Sequence, residues 1–146
     1  MLLRVLYSVV LVFATVFIHA GCTAAVLGWF RSVEGHHWTL RTYVRCSALL
    51  AVIVLLMTLA AVLESGLWAS LYLAVDALST TEEALYFSLV TFTTLGYGDI
   101  TLPEHWRILG AFQAANGAIM FGWTTALIVF IVQRMVQLRE AGRGGS

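Results

Sequence analysis

The sequence predicts an all-α membrane protein with three transmembrane helices, plus a shorter re-entrant helix and an irregular loop between the second and third spans. Hydrophobic residues form 60% of its 146 residues and charged residues only 11%, whereas a soluble domain is about 45–50% apolar and about 25% charged. Three apolar runs also approach or exceed the ~20 residues that cross a bilayer. A chain this apolar needs lipid as its main solvent, so it is predicted to be an integral membrane protein.

The three predicted spans cover residues 5–30, 44–63 and 108–132. A further apolar stretch, residues 67–78, is shorter than a span and contains Asp76. It is therefore predicted to be a partly buried segment on the outer side of the membrane.

Charge placement predicts the orientation in the membrane. Arginines follow the first and the third spans: Arg31, Arg41, Arg45, Arg134, Arg139 and Arg143. The segment between the second and third spans is acidic and holds Glu64, Asp76, Glu82, Glu83, Asp99 and Glu104 beside Arg107. The positive-inside rule places the first loop and the C-terminus in the cytoplasm, and the acidic segment and the N-terminus outside. Arg4 opposes this orientation weakly, and the three arginines of the following loop outweigh it.

A short helix is predicted within the acidic segment. Two overlapping capping boxes begin it, because Ser79 is followed three residues later by Glu82 and Thr80 by Glu83. The helix is expected at about residues 82–93, a length of roughly 18 Å at 1.5 Å per residue. That is about half the thickness of a bilayer, as a re-entrant helix requires.

Residues 91–99 follow this helix and read Thr-Phe-Thr-Thr-Leu-Gly-Tyr-Gly-Asp. They resemble the filter signature T-x-x-T-x-G-Y-G-D of the potassium-channel pore family, and every fixed position of that signature is met. A glycine turn at the end of an ordinary helix is the simpler alternative. That alternative leaves Thr91, Thr94 and Asp99 unexplained, and it places irregular backbone next to lipid.

The resemblance implies a potassium site made of backbone carbonyls. The carbonyl oxygens of Thr94, Leu95, Gly96 and Tyr97 would replace the water shell of K⁺, with Gly98 completing the filter and the Thr94 hydroxyl closing its inner end. Consecutive inward carbonyls need alternating backbone conformations, some with positive φ, which glycine adopts at little cost. Four copies of the chain around one axis would close the pore, and no cofactor besides permeant K⁺ is implied.

The same resemblance assigns supporting positions to side chains near the filter. Tyr86 and Phe87 would form the aromatic layer behind it, where many members have two tryptophans, and Thr91 would support it from the end of the short helix. The ring of Tyr97 would wedge the filter against that helix.

The sequence departs from some bacterial members of the family at Val90, where those members carry a glutamate that pairs with the filter aspartate. Asp99 therefore needs another partner here, and Trp106 is the predicted one.

The third span resembles the inner helix of the family. Gly117 and Gly122 are candidate hinge glycines, and close helix packing is an equally weighted alternative for both. Gln113 and Asn116 are polar residues within this span, so they are expected to face the bundle interior or water.

The first span lies outside the minimal pattern of the family and is assigned a packing role only. His19 and Cys22 lie three residues apart on one face of it, and we interpret them as a buried polar pair rather than as a metal site. Zero net charge gives no basic field for nucleic acid. No nucleophile–base pair or complete set of metal ligands points to an enzyme.

These observations together predict a potassium-selective channel subunit in lipid, in the plasma (inner) membrane. Residues 1–31 would form an additional N-terminal transmembrane helix, residues 44–135 the pore domain and residues 136–146 a short cytoplasmic tail. A weakly selective cation channel is one alternative, because Leu95 replaces the commoner valine or isoleucine. A non-conducting membrane protein that kept the pore fold is another. The sequence does not indicate the gating stimulus, so lipid tension, pH and a regulatory partner are all retained as alternatives.

Overall fold

The computed structural model describes residues 2–33 and 40–144, and the regular elements in these ranges are all helical. Four α-helices are present: α1 (Leu2–Val33), α2 (Leu40–Ala74), α3 (Thr81–Phe92) and α4 (Arg107–Gly144). A short 3₁₀ helix, Glu104–Trp106, leads into α4. The three predicted spans are confirmed, since the stretches long and apolar enough to cross a membrane are Leu2–Ser32, Cys46–Ala74 and Glu104–Leu138.

The second span is longer than the sequence predicted, and the placement of Glu64 was wrong. Residues 67–74 are the last two turns of α2 and not a separate outer segment. Glu64 lies inside this helix and is 0% exposed. Its Oε1 is 3.0 Å from Nδ1 of His19 on α1, so the carboxyl group has a polar partner within the bundle and does not end the span.

The helices pack through two apolar clusters, one in each half of the bundle. The first cluster joins α2, α3 and α4 through residues that include Trp68, Tyr72, Phe92 and Leu109. The second cluster joins α1, α2 and α4 through Val26, Phe30, Ile53, Met57, Leu127, Ile131 and Met135. Partly buried side chains of α1 also pack against the first cluster. The N-terminal helix therefore accompanies α2 and α4 through both halves of the bundle.

Many large apolar side chains remain exposed on the surface of these helices. They include Phe13 and Phe17 on α1, Leu55 on α2 and Phe130 on α4. A soluble protein rarely leaves so much apolar surface in water. In a bilayer these side chains meet hydrocarbon instead, which agrees with the composition of the chain.

The start of α3 follows from one of the two predicted capping boxes. Thr80 is the N-cap, with extended backbone at φ −125° and ψ 153°. Its side-chain oxygen accepts a hydrogen bond from the backbone N–H of Glu83, 3.2 Å away. Glu82 and Glu83 lie in the first turn, where a carboxylate is favoured by the helix dipole. The helix begins at Thr81, one residue before the predicted start.

A buried polar network holds α3 against its two neighbours. The side-chain amide of Gln113 on α4 donates to Oγ of Ser88, 2.6 Å away, and to the Ser88 carbonyl, 3.1 Å away. Ser88 Oγ donates in turn to the carbonyl of Ser65 on α2. The Tyr72 hydroxyl of α2 donates to Gln113 Oε1 at 2.6 Å. The expectation that Gln113 faces the bundle interior is thus confirmed, and this residue links three helices.

We expect Gln113→Leu to lower the free energy of unfolding by about 1–3 kcal/mol, because the buried hydroxyl groups of Tyr72 and Ser88 each lose a partner. The measurement is reversible unfolding of the whole protein in lipid–detergent micelles. Gln133→Leu is the matched control, since Gln133 lies exposed on the same helix. Equal effects of the two substitutions would contradict a role for the network.

Candidate functional site

The chain reverses direction where α3 ends. The backbone N–H of Thr94 donates to the Thr91 carbonyl, and the N–H of Leu95 donates to the Val90 carbonyl, both at 3.0 Å. This pair of bonds is a Schellman motif, which satisfies the last carbonyls of a helix. The N–H of Gly96 also donates to the Val90 carbonyl, at 3.2 Å. The following segment, residues 94–98, therefore starts back along the helix that precedes it.

Backbone handedness alternates along this segment. The φ angle is positive at Thr94 (60°), Gly96 (57°) and Gly98 (78°), and it is not positive at the residues between them. In a regular strand successive carbonyls point to opposite sides, whereas alternation of this kind turns them toward one side. The segment is neither helix nor strand. It has the backbone pattern that a row of inward carbonyls requires.

Positive φ at Thr94 was not predicted, because threonine is β-branched and the left-handed region costs such residues about 1–2 kcal/mol. The structural reason is its position. Thr94 is the residue just after the C-cap Thr93, where helices commonly place a left-handed residue. The two Schellman hydrogen bonds offset the cost.

The segment is exposed in the isolated chain. The side chains of Leu95 and Tyr97 are 56% and 66% exposed. The ring of Tyr97 is therefore not wedged against α3 of its own chain. Irregular backbone at membrane depth is tolerated only where it is buried in protein or lines a water-filled cavity. The site is thus incomplete in one chain.

A cavity of about 250 Å³ lies behind the segment, between α3 and the start of α4. Tyr86, Phe87 and Thr91 line it, together with Gly96 and Gly98. The structure thus brings three predicted supporting side chains to the rear of the segment. Phe87 is fixed there by an edge contact with Tyr72, with ring centroids 5.3 Å apart.

The predicted partner of Asp99 was wrong. Asp99 Oδ2 accepts a hydrogen bond of 2.7 Å from the Tyr86 hydroxyl, and its Oδ1 accepts one from the Ile100 N–H at 3.1 Å. The segment runs back along α3, so Asp99 reaches the side chain of Tyr86. Trp106 instead lies beneath the guanidinium of Arg4, which is 5.3 Å from its ring centroid.

The Tyr86 hydroxyl lowers the pKa of Asp99, since the hydrogen bond stabilises the ionised carboxylate. Asp99 is therefore an anion at neutral pH, directly after the segment. Four further carboxylates are exposed in the same part of the chain: Asp76, Glu82, Glu83 and Glu104. Carboxylates near one opening raise the local concentration of cations.

The two candidate hinge glycines differ in their surroundings. A Cβ atom on Gly117 would overlap the carbonyl oxygen of Phe92, at the end of α3. A Cβ atom on Gly122 would meet nothing within 4 Å in this chain. Both residues lie within the continuous helix α4. These contacts support the close-packing alternative for Gly117, and a hinge at Gly122 stays a prediction.

His19 does not form the predicted pair with Cys22. His19 is buried and bonded to Glu64, while Cys22 packs against the second apolar cluster, which contains Val26 and Phe30. Sequence reasoning missed this contact because the two partners are 45 residues apart. Within residues 2–33 and 40–144, no three His, Cys, Asp or Glu side chains gather as metal ligands.

Comparison with known protein families gave a match. A family model described as an ion channel matches residues 48–134, which is more than half of the chain. The matched range runs from α2 through α3 and the segment to α4, and α1 lies outside it. No curated protein and no solved structure gave a significant match.

We expect Tyr86→Phe to raise the pKa of Asp99 toward its ordinary value, because the phenol donor is lost. Because the pKa of Asp99 is lowered in the folded protein, the Tyr86–Asp99 hydrogen bond stabilises the protein at pH values above the ordinary aspartate pKa. This stabilisation is lost as pH falls through the lowered pKa of Asp99. In Tyr86→Phe the carboxylate should therefore protonate at higher pH. Carboxyl ¹³C NMR of aspartate-labelled protein in bilayers measures this.

Asp76 is the internal reference for this measurement, since the chain contains only two aspartates. Tyr86→Trp should restore part of the shift, because an indole N–H can also donate. An unchanged Asp99 titration in Tyr86→Phe would show that another group lowers the pKa.

Proposed function

Because the chain belongs to the two-transmembrane-type potassium-channel pore family, an ion-channel family, we propose that it is one subunit of a homotetrameric potassium channel. Residues 94–98 form one quarter of the selectivity filter. Potassium passes down its electrochemical gradient, with no bond made or broken.

The alternating backbone of residues 94–98 carries this proposal. A K⁺ ion enters a narrow pore only if oxygen atoms replace its water at nearly equal energy. The carbonyl oxygens of Thr94, Leu95, Gly96 and Tyr97 are the replacement, and positive φ at Thr94, Gly96 and Gly98 allows them to face one axis. The C-terminal end of α3 adds partial negative charge at the inner end of the filter.

Exposure of the segment supports the tetramer. One chain supplies oxygens on one side of an ion only, so a closed ring requires symmetric copies. The side chains of Leu95 and Tyr97 are largely exposed in the single chain. In the tetramer the cavity behind each filter strand offers an apolar seat for such groups. Thr91, Tyr86 and Phe87 then support the filter from behind.

We place the N-terminus outside and the C-terminus in the cytoplasm of the plasma membrane. The arginine distribution favours this orientation. Arg4, which opposed it, lies over the ring of Trp106 at the outer end of α4. A cation–π contact stabilises this charge locally. Fourfold repetition of the exposed carboxylates then concentrates cations at the outer mouth.

We expect Gly96→Ala to abolish K⁺ efflux from liposomes that contain the reconstituted protein. A left-handed alanine costs about 1–2 kcal/mol in each subunit, so four copies strain the filter by about 4–8 kcal/mol. Gly28→Ala is the control, since Gly28 is an exposed helical residue whose added Cβ meets nothing within 4 Å. Efflux that survives in Gly96→Ala would overturn the proposed filter. No efflux from wild type would favour a non-conducting membrane protein.

Reversal potentials in mixed K⁺ and Na⁺ test selectivity. We expect a shift of about 59 mV per tenfold change in the K⁺ gradient, because Leu95 contributes to the filter through its carbonyl and not its side chain. A much smaller shift, with Na⁺ carrying current, would favour the weakly selective channel. Leu95→Val is the matched variant, since it restores the commoner side chain at this position.

A further inference from the structure

A buried pair of ionisable side chains joins three helices near the middle of the bundle. His19 of α1 is 1% exposed and Glu64 of α2 is 0% exposed. The second ring nitrogen of His19, Nε2, lies 3.2 Å from Oγ1 of Thr124 on α4. Ionisable residues inside a membrane are costly and usually functional. Conduction through residues 94–98 does not use these three side chains.

The surroundings of the pair contain little that could neutralise a charge. Along α1, the next titratable side chain after His19 is Cys22, one turn further along. On α2, the titratable group that faces His19 is Glu64, its partner in the pair. On α4 the facing groups are Thr124 and the ring of Trp123, whose centroid is 5.4 Å from that of His19. In the described part of the chain, the second carboxyl oxygen of Glu64, Oε2, is buried without a hydrogen-bond partner. The pair must therefore limit its own net charge.

The number of protons on the His19–Glu64 pair determines the direction of the hydrogen bond between His19 and Thr124. It has no net charge either as imidazolium with carboxylate or as neutral imidazole with carboxylic acid. In both forms Nε2 carries a hydrogen and donates it to Thr124. When one proton leaves, Nδ1–H still donates to Glu64, but Nε2 becomes an acceptor. Thr124 must then donate its hydroxyl hydrogen to His19, so the direction of this hydrogen bond reverses.

We propose that His19 and Glu64 form a proton-binding site whose state is transmitted to the inner helix α4 through Thr124. This inference rests on the proposed channel function and assigns that channel a regulatory ligand.

Loss of the proton weakens the link between α1 and α4 in two ways. A net negative charge is left among apolar side chains. When the pair is imidazolium with carboxylate, the hydrogen bond to Thr124 also loses a charged donor, and charge-assisted hydrogen bonds are the stronger ones. An inner helix that is held less tightly opens more readily. We therefore expect K⁺ efflux to increase as pH rises.

A neighbouring bridge provides a matched control without an ionisable group. The Asn116 side-chain amide of α4 donates to Thr15 Oγ1 at 2.8 Å. Thr15 lies one turn before His19 on α1, so this hydrogen bond joins the same two helices. Thr15→Val weakens the same contact but leaves the proton site intact.

The first experiment observes the site without reference to conduction. Solid-state ¹⁵N NMR of histidine-labelled full chain in bilayers reports the protonation of each ring nitrogen, and His19→Gln identifies the signals of His19. Spectra are recorded across about pH 5 to 8, the interval in which imidazoles change charge, and the proposed site requires Nε2 of His19 to lose its hydrogen as pH rises. An Nε2 that keeps one protonation state throughout would overturn the proton site.

The second experiment measures K⁺ efflux from liposomes over the same pH range. We expect wild type to show an increase of about fivefold or more, and Thr15→Val to keep it. Glu64→Gln and Thr124→Val should both abolish it, and Thr124→Ser should restore it. Thr124→Val leaves the buried pair in place, so it remains informative if Glu64→Gln does not fold.

Two outcomes separate failure of this inference from failure of the channel function. A pH step that persists in Thr124→Val and Glu64→Gln, or that is missing in a conducting wild type, would overturn the inference and leave conduction established. An absence of efflux at every pH would overturn the channel function. The histidine spectrum alone would then decide the proton site.

Discussion

Every other feature of the candidate site depends on how the backbone leaves α3. A helix end inside a membrane must satisfy its last carbonyl groups without water, and here the N–H groups of Thr94 and Leu95 do so. This arrangement requires Thr94 to adopt an unfavourable left-handed backbone conformation. As a result the chain turns back along α3 and continues with alternating handedness through Gly96 and Gly98. The geometry of the proposed filter thus depends on the cap of the preceding helix.

The rest of the fold keeps that helix end in place. Thr80 caps its start, Gln113 bonds its middle through Ser88, and Gly117 allows its last carbonyl to approach α4. These three constraints come from different kinds of interaction: a side chain that replaces a backbone partner, a buried amide, and the absence of a Cβ atom. Together they fix α3 along its length, so the segment after it inherits a defined position.

Local patterns in the sequence predicted most of the architecture. Apolar runs predicted the three spans, and the overlapping capping boxes predicted α3 to within one residue. Both signals depend only on residues that are close together in the sequence. The signature around Gly96 and Gly98 pointed to the segment that the structure shows to be irregular. The features that were missed or misassigned include Glu64 inside the bundle, the Tyr86 partner of Asp99, and positive φ at Thr94. The first two are contacts between distant residues, and the third needs the position of the helix end, so propensity and hydropathy carry no signal for them.

The contact between Gly117 and the Phe92 carbonyl has a mechanical consequence. Backbone meets backbone there, with no side chain between them whose rotamers could absorb a displacement. A sideways shift of α4 at this level must either open a gap in the bilayer interior or carry the end of α3 with it. Phe92 is two residues from Thr94, so residues 94–98 would move together with α4. In the proposed channel, the diameter of the pore and the spacing of its oxygen ligands would therefore change together.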